Sequence, residues 1–345
     1  MMNLPYITRS LPGTGGKIRG TLKDFVVEET PVFDPIGEGE HLFVNLTRKG
    51  IGTRKLAHSL ALLFSLGRKA VGYAGLKDVH SVSTQTFSLL LGELSDDEIL
   101  NIRKDIETKL PVKVNWIRPH TRKLRTGQLL GNKFSINITD ISMDLGKALV
   151  RAREIARTLE SLGVPNFYGP QRVDSKNVLR GYEIIKGRLR VKDRWLRRFL
   201  VSCYIDYLCN LYLIRRLENG DFYRLIRGDI VKKYSTGGMF VVENPDVELP
   251  RFEAREISFT APIFGPRMWW AEQSSGKLEK EVFEKSGITL EELKKLGVRG
   301  TRRLGRLLPK IAIRESDRGI KLDFFLPKGA YATTVLREFM KNNLG

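Results

Sequence analysis

The chain has 345 residues, of which 41% are hydrophobic and 28% charged, a balance typical of folded rather than disordered proteins. Lysine and arginine number 59 against 39 acidic residues, and the resulting net charge of +20 favours a polyanionic partner such as nucleic acid. No apolar run is long enough to span a membrane, and the N-terminal segment lacks the apolar core of a secretory signal, so we expect a cytoplasmic protein that does not bind membranes.

The first 160 residues predict a mixture of strands and helices. Thr53 is expected to cap the first helix, and Ser95 with Glu98 forms a capping box before the second. Alternating polarity predicts strands at residues 24–30, 40–47, 84–92, 113–120 and 132–140. Helical periodicity predicts helices at residues 53–66, 96–110 and 145–161. This order indicates an α+β fold.

The pattern changes after residue 160. The stretch GVPNFYGPQRVDSKN is rich in Gly, Pro, Asn and Asp, as expected of a domain junction or a functional loop. Helical stretches follow from about residue 176 to 217, and the region from 220 to 310 is mixed. The chain closes with a predicted strand, GIKLDFFLP, and a predicted helix, ATTVLREFMKNN.

Basic residues are concentrated in three clusters, each interleaved with aromatic or apolar residues. Such a composition is expected where cations bind phosphates and rings stack on bases. A run of charge is often only a solvated surface, so for any single cluster both interpretations stay open. The clusters are Arg118 to Arg125, Lys186 to Arg198, and the segment RGTRRLGRLLPK near residues 299–310.

The cysteines and histidines do not predict a metal site. Cys203 and Cys209 lie six residues apart in an apolar helical stretch, which favours two small buried side chains over a disulfide or metal ligands. The four histidines show no metal-ligand spacing, so a zinc-dependent deaminase site is not expected.

Asp78 is the most conspicuous candidate for chemistry. It lies in YAGLKDVHSVSTQ, between a glycine-containing turn and a Ser/Thr-rich strand. Nearby cations such as Lys77 favour an ionised carboxylate, whereas burial would raise its pKa, and the sequence does not decide between them. A turn residue that accepts backbone hydrogen bonds has the same composition, so both a catalytic and a structural role stay open at this point.

YAGLKDVHSVSTQ resembles the signature of the TruD family of tRNA pseudouridine synthases. Other segments resemble that family in the same order along nearly the whole chain: GTGGKIRGTLKDFVVEE with GEGEHLFVNLTRKGIGTR, RKLRTGQLLGNKF, GVPNFYGPQR, RRFLVSCYIDYLCN and LPKGAYATTVLREF. The resemblance implies an α+β catalytic domain with a mixed, mainly antiparallel sheet, formed by residues 1–160 and 311–345. It also implies a mostly helical inserted TRUD domain at residues 161–310.

The resemblance further implies an isomerase, an intramolecular transferase that converts a uridine of tRNA to pseudouridine without cofactor or metal. The expected target is a uridine of the D arm, at position 13, and the expected enzyme is a monomer with tRNA as its partner. Asp78 matches the family's catalytic acid in an RNA-binding cleft, and it either attacks the ribose C1′ or deprotonates C2′. The alternative is a non-catalytic RNA-binding or RNA chaperone protein on the same fold.

Further site residues follow from the same resemblance. Asn132 and Phe134 match a family motif in which the Asn hydrogen-bonds near the catalytic Asp and the ring stacks on the target base. Arg19 stands where relatives usually have Lys; it keeps the charge but cannot transfer a proton. Substrate binding is also expected from the cations Lys77, Arg122, Lys123, Arg125 and Arg172.

Overall fold

The computed structural model describes residues 3–67, 69–170 and 172–341. These residues form two compact units. The first, here called the sheet unit, comprises the described residues of 14–153 and 310–329. The second, here called the helical unit, comprises those of 1–13, 154–309 and 330–345. The assignment of a catalytic and an inserted domain to these units stays a prediction.

The secondary structure alternates between strands and helices, with short 3-10 turns at Leu22–Asp24 and Asp221–Tyr223. The strands are β1 Phe25–Pro31, β2 His41–Lys49, β3 Val71–Tyr73, β4 Val82–Leu90, β5 Val112–His120, β6 Leu129–Thr139, β7 Val164–Pro165, β8 Ile230–Lys233, β9 Met239–Val241, β10 Ile257–Ile263, β11 Thr301–Leu304, β12 Arg306–Leu307, β13 Ile311–Ser316 and β14 Gly319–Pro327. The helices are α1 Thr53–Leu63, α2 Asp96–Lys109, α3 Leu145–Leu162, α4 Ser175–Ile185, α5 Arg194–Glu218, α6 Pro245–Glu253, α7 Gln273–Lys285, α8 Leu290–Lys295 and α9 Ala332–Met340.

The sheet unit is built on one sheet in the order β13-β14-β6-β1-β4-β2-β5, with β3 paired to β4. Among the described strands of this sheet, β1 and β4 are parallel and the other neighbours are antiparallel. The prediction of an α+β fold with a mixed, mainly antiparallel sheet is therefore confirmed. Because β2 covers one edge of β4 along its whole length, β1 and β3 share the other edge.

The core of the sheet unit follows the period-2 pattern of its strands. Leu42, Val44 and Leu46 of β2 are at most 1% exposed, and Leu56 of α1 and Ile106 of α2 belong to the same buried cluster. Each of these side chains stabilises the fold by ~1.5–3 kcal/mol through burial. The sheet that carries the candidate site is therefore backed by two packed helices.

The helical unit contains α5, a helix of 25 residues whose N-cap is Asp193. Cys203 and Cys209 are buried in it as free thiols, as predicted, and burial raises their pKa values to about 11 and about 12. The unit also has an antiparallel sheet in the order β11-β10-β8-β9, which the sequence did not predict. In the part of the chain that the structure describes, no helix has the length and apolarity needed to cross a membrane.

One other element prediction needs correction. Gly52, not Thr53, is the N-cap of α1; Thr53 is the first helical residue, and its hydroxyl bonds to the core instead of to its own helix. The capping box of Ser95 and Glu98, in contrast, is confirmed. The helical stretches predicted from about residue 176 to 217 are likewise confirmed as α4 and α5, which a basic loop separates.

Candidate active site

Asp78 lies in the loop of residues 74–81, here called the Asp78 loop, which connects β3 to β4. Its side chain is 50% exposed, and its Oδ2 accepts a hydrogen bond of 2.5 Å from Nη2 of Arg19. The Ser81 hydroxyl donates to the backbone carbonyl of Asp78 at 2.8 Å. The carboxylate is thus held by its neighbours and is also open to solvent, as a catalytic acid must be.

Lys77, the residue before Asp78, points into the protein. Its ammonium lies 2.6 Å from Oε2 of Glu29 on β1, and the two side chains are 4% and 3% exposed. Burial lowers the pKa of Lys77, while the charge of Glu29 and its hydrogen bond act in the opposite direction. In this arrangement Lys77 anchors the Asp78 loop to β1.

A buried polar network extends this anchor. The Thr53 hydroxyl accepts a hydrogen bond of 2.9 Å from the backbone N–H of Lys77 and donates to Oε1 of Gln85 at 3.1 Å. Gln85 donates in turn to the Gly75 carbonyl. Arg48, 1% exposed, donates to the same Thr53 hydroxyl, and burial lowers the pKa of Arg48 to about 10. Since buried polar groups are costly unless paired, this network fixes the loop in one conformation.

Arg19 reaches Asp78 from a strained backbone position. It has a positive φ of 65°, which is uncommon for a residue other than glycine. The 3-10 turn that follows, Leu22–Asp24, is fixed by Asp24, whose side chain is buried. Its carboxylate accepts hydrogen bonds from the Thr21 amide at 2.6 Å and from the Arg318 guanidinium at 3.1 Å. The Arg19 guanidinium lies 4.6 Å from the centre of the Phe25 ring. Its direction towards Asp78 is therefore set by backbone, ring and ion pair together.

Phe134 and Asn132 lie on β6, which pairs with β1. The Phe134 ring is 8% exposed, stacks on Phe324 at 5.4 Å and meets Phe25 edge-on at 6.1 Å. Asn132 is opposite Glu29 in the β1–β6 register, and its buried Oδ1 has no hydrogen-bond partner among the described residues. Arg19, Phe25 and Phe134 thus form a continuous series of contacts that starts at Asp78.

The segment TRKLRTGQLLG, residues 121–131, is predicted to be a basic loop; in the structure the loop is residues 121–128, since β6 begins at Leu129, and it packs beside the Asp78 loop. The Gly127 N–H donates to the Ala74 carbonyl at 2.7 Å. A Cβ at Gly72 of β3 would collide with the carbonyl oxygen of Leu124, so the close approach of the basic loop to β3, directly before the Asp78 loop, requires glycine there. The structure therefore brings the predicted basic loop to the segment that carries Asp78.

The cations of this loop differ in their availability to a ligand. Arg122 and Arg125 are exposed. Lys123 is only half-buried, and its ammonium donates to the backbone carbonyl of Lys69. The two arginines are thus the better candidates for phosphate contacts.

Arg172 lies in the helical unit. Its Nε donates to Oδ2 of Asp206 at 2.6 Å and its Nη2 to the Ser202 hydroxyl at 2.9 Å. The guanidinium also lies 5.2 Å from the centre of the Phe199 ring and 5.9 Å from that of Tyr168. These contacts occupy Arg172 within its own unit, and its predicted contact with substrate stays a prediction.

The sequence interpretation missed several residues of this site. Glu29, Arg48, Thr53 and Gln85 support the Asp78 loop from elements far apart in the chain, and Phe25 holds Arg19. The sequence contains only a weak signal for them. Glu29 in FVVEE and Gln85 in STQTF are polar residues at strand positions where the alternation predicts an inward-facing apolar side chain.

The chain is similar to known proteins over nearly its whole length. The family model for tRNA pseudouridine synthase D (TruD) matches residues 1–191 and 176–339. A protein of Anaeromyxobacter dehalogenans named tRNA pseudouridine synthase D is 35% identical over 99% of this chain and 97% of its own length. One of the same name from Thermus thermophilus is 38% identical over 98% of this chain and 92% of its own length. A solved structure from Methanosarcina mazei, described as TruD, is similar with a TM-score of 0.75 and 26% identity and covers 99% of this chain and 97% of that one.

The fold, a mixed sheet with a fixed and exposed carboxylate in the loop between β3 and β4, and these full-length similarities lead to one class of protein. The chain belongs to the TruD family of tRNA pseudouridine synthases, which are isomerases.

Proposed function

We propose that this protein converts a uridine in the D arm of tRNA, at position 13, to pseudouridine, with Asp78 as the catalytic acid. The observation that carries the proposal is the Asp78 loop: a buried network fixes it, yet the carboxylate of Asp78 is 50% exposed. A structural turn residue would satisfy its carboxylate within its own turn, whereas that of Asp78 meets Arg19, 59 positions earlier.

Two routes fit a carboxylate at this position. In the first, Asp78 attacks C1′ of the ribose, and the N1–C1′ bond breaks with its electron pair passing to the uracil. The uracil then turns, C5 bonds to C1′ as the carboxylate leaves, and the C5 proton is lost while N1 gains one. In the second, Asp78 removes the C2′ proton and the uracil leaves with the N1–C1′ electron pair, so that a C1′=C2′ double bond forms. The proton then returns to C2′ as C5 bonds to C1′, and here too the C5 proton is lost while N1 gains one. Both routes require the target base to leave the helical stack.

Arg19 and Asn132 have distinct roles in this proposal. Arg19 orients the Asp78 carboxylate and stabilises negative charge that develops on the detached uracil; it supplies charge and does not transfer a proton. Oδ1 of Asn132, which is buried and has no hydrogen-bond partner among the described residues, is the acceptor proposed for the N3–H of a uracil that enters beside it.

Phe134 provides a test of whether the target base stacks at this point. If its ring contacts the base, we expect Phe134→Ala to reduce binding or turnover of the target nucleotide by ~1–3 kcal/mol. Because the ring is 8% exposed and packed against Phe25 and Phe324, the same change should also cost ~3–5 kcal/mol of folding stability. Thermal unfolding and the single-turnover rate well below the melting temperature separate the two effects.

Phe324→Ala is the matched control, since Phe324 is 5% exposed and is the other half of the same stacked pair. It should lower stability similarly but leave the single-turnover rate near that of the unaltered protein. Equal rates for the two variants would place Phe134 in the core alone.

A second test concerns the charge of the basic loop. We expect tRNA affinity to fall steeply with salt, since each neutralised phosphate adds roughly 0.9 to the log–log slope for duplex targets. Arg122→Glu with Arg125→Glu should flatten that slope, measured by titration over a salt series. The control is Lys277→Glu with Lys280→Glu, at exposed positions outside the three basic clusters. It changes the net charge by the same amount, and its slope should stay close to that of the unaltered protein. Equal slopes for the two double variants would remove the basic loop from the RNA surface.

A further inference from the structure

The helical unit carries an exposed tryptophan at the start of α5 that the proposed chemistry does not use. Trp195 is 49% exposed and stacks on Phe199, one turn later in the helix, with ring centres 5.4 Å apart and planes inclined by 17°. A single exposed ring is ordinary on a protein surface. Trp195 is distinguished by the residues that support it and by the cations close to it in the sequence.

The stack continues from Trp195 into the protein. The Arg172 guanidinium lies 5.2 Å from the Phe199 ring centre and 5.9 Å from that of Tyr168. Arg172 is held in turn by Asp206, whose side chain is 5% exposed. This series of rings and guanidinium supports the indole from behind. A ring fixed in this way loses little conformational entropy when a ligand stacks on it.

Cations are concentrated in the sequence on either side of Trp195, on the loop between α4 and α5 and on the first turns of α5. Arg188 is paired with Glu183 at 3.4 Å. The other exposed cations of this segment have no hydrogen-bond or ion-pair partner within the described part of the chain: Arg190, Lys192, Arg194, Arg197 and Arg198. A fixed aromatic ring among unpaired cations complements a base and the phosphates on either side of it.

We propose that Trp195 and the surrounding cations, here called the Trp195 surface, bind an unpaired nucleotide of the tRNA outside the catalytic site, with the base stacked on the indole. This inference rests on the proposed function, because it takes tRNA as the partner. Arg172 accordingly acts as a positioning residue behind Phe199 and not as a phosphate ligand.

The test compares two exposed tryptophans of the helical unit. Trp195→Ala should weaken tRNA binding about tenfold at fixed salt, which corresponds to ~1.4 kcal/mol. Trp195→Phe should restore most of the affinity, because a phenyl ring still offers a stacking face. Trp269, 44% exposed and outside the Trp195 surface, is the control, and Trp269→Ala should bind as the unaltered protein does.

A salt series separates stacking from charge at the Trp195 surface. Trp195→Ala should lower tRNA affinity by the same factor at every salt concentration, since stacking releases no counterions. Arg194→Glu with Arg197→Glu should instead reduce the slope of log affinity against log salt concentration. Pseudouridine formation by the unaltered protein is measured on the same tRNA. Absence of product would refute the proposed function. Product formation together with unchanged tRNA affinity of Trp195→Ala would refute tRNA binding at the Trp195 surface.

Discussion

Asp78→Asn is expected to abolish pseudouridine formation while tRNA affinity changes by less than about tenfold, ~1.4 kcal/mol. The amide has nearly the same shape as the carboxylate, but it neither attacks C1′ nor removes a proton from C2′. Affinity should be retained because phosphate contacts are spread over many cations. The folded state should also be retained, since the side chain is 50% exposed and the loop is held by Lys77 and by the backbone of Asp78 itself.

Asp140→Asn is the matched control for this experiment. Asp140 is also an exposed acid of the sheet unit with a basic neighbour, Lys17 at 3.7 Å, and it lies outside the site. Product formation and binding should be measured for both variants on the same tRNA. Turnover by Asp78→Asn close to that of Asp140→Asn would make Asp78 a turn residue. Absence of product from the unaltered protein and from both variants would instead favour a non-catalytic RNA-binding protein.

Local patterns in the sequence predicted most helices and strands of the sheet unit, because capping motifs and alternating polarity extend over only a few consecutive residues. The capping box at Ser95 is contained in four positions, and GIKLDFFLP alternates so regularly that β14 begins and ends as predicted. The partner strand β13 was not predicted, since only Ile311 of its residues is buried and its alternation is weak. Short strands such as β9 and β12 offer too few residues for any period to appear.

The site was predicted less completely, because its support comes from contacts between distant residues. The resemblance of YAGLKDVHSVSTQ directed attention to Asp78, but nothing local links Lys77 to Glu29, 48 positions earlier. Thr53 was assigned to a helix cap because Ser and Thr often begin helices, and this was wrong because the tertiary network uses its hydroxyl. Helix-capping propensity depends on the residues of one segment. A buried hydrogen bond such as that of Thr53 depends also on the strand that packs against the segment.

The pair of Lys77 and Glu29 is expected to determine both stability and the position of Asp78. Lys77→Met keeps the length of the side chain but leaves the Glu29 carboxylate buried without its cation. Removing one partner of a buried ion pair typically costs ~3–5 kcal/mol of folding stability. The single-turnover rate should fall as well, because the loop next to Asp78 loses its anchor to β1. Chemical denaturation and single-turnover assays below the unfolding transition measure the two effects.

The double variant Lys77→Met with Glu29→Gln distinguishes support of the loop from direct contact with tRNA. The amide removes the unpaired charge and can still accept the hydrogen bond from Gln85 Nε2, so much of the lost stability should return. If Lys77 only anchors the loop, tRNA affinity should match that of the unaltered protein, while the single-turnover rate stays reduced because the double variant still lacks the ion pair that ties the loop to β1. If stability recovers while affinity stays low and the rate does not improve, the ammonium of Lys77 itself contacts the substrate, and its burial against Glu29 must be released when tRNA binds.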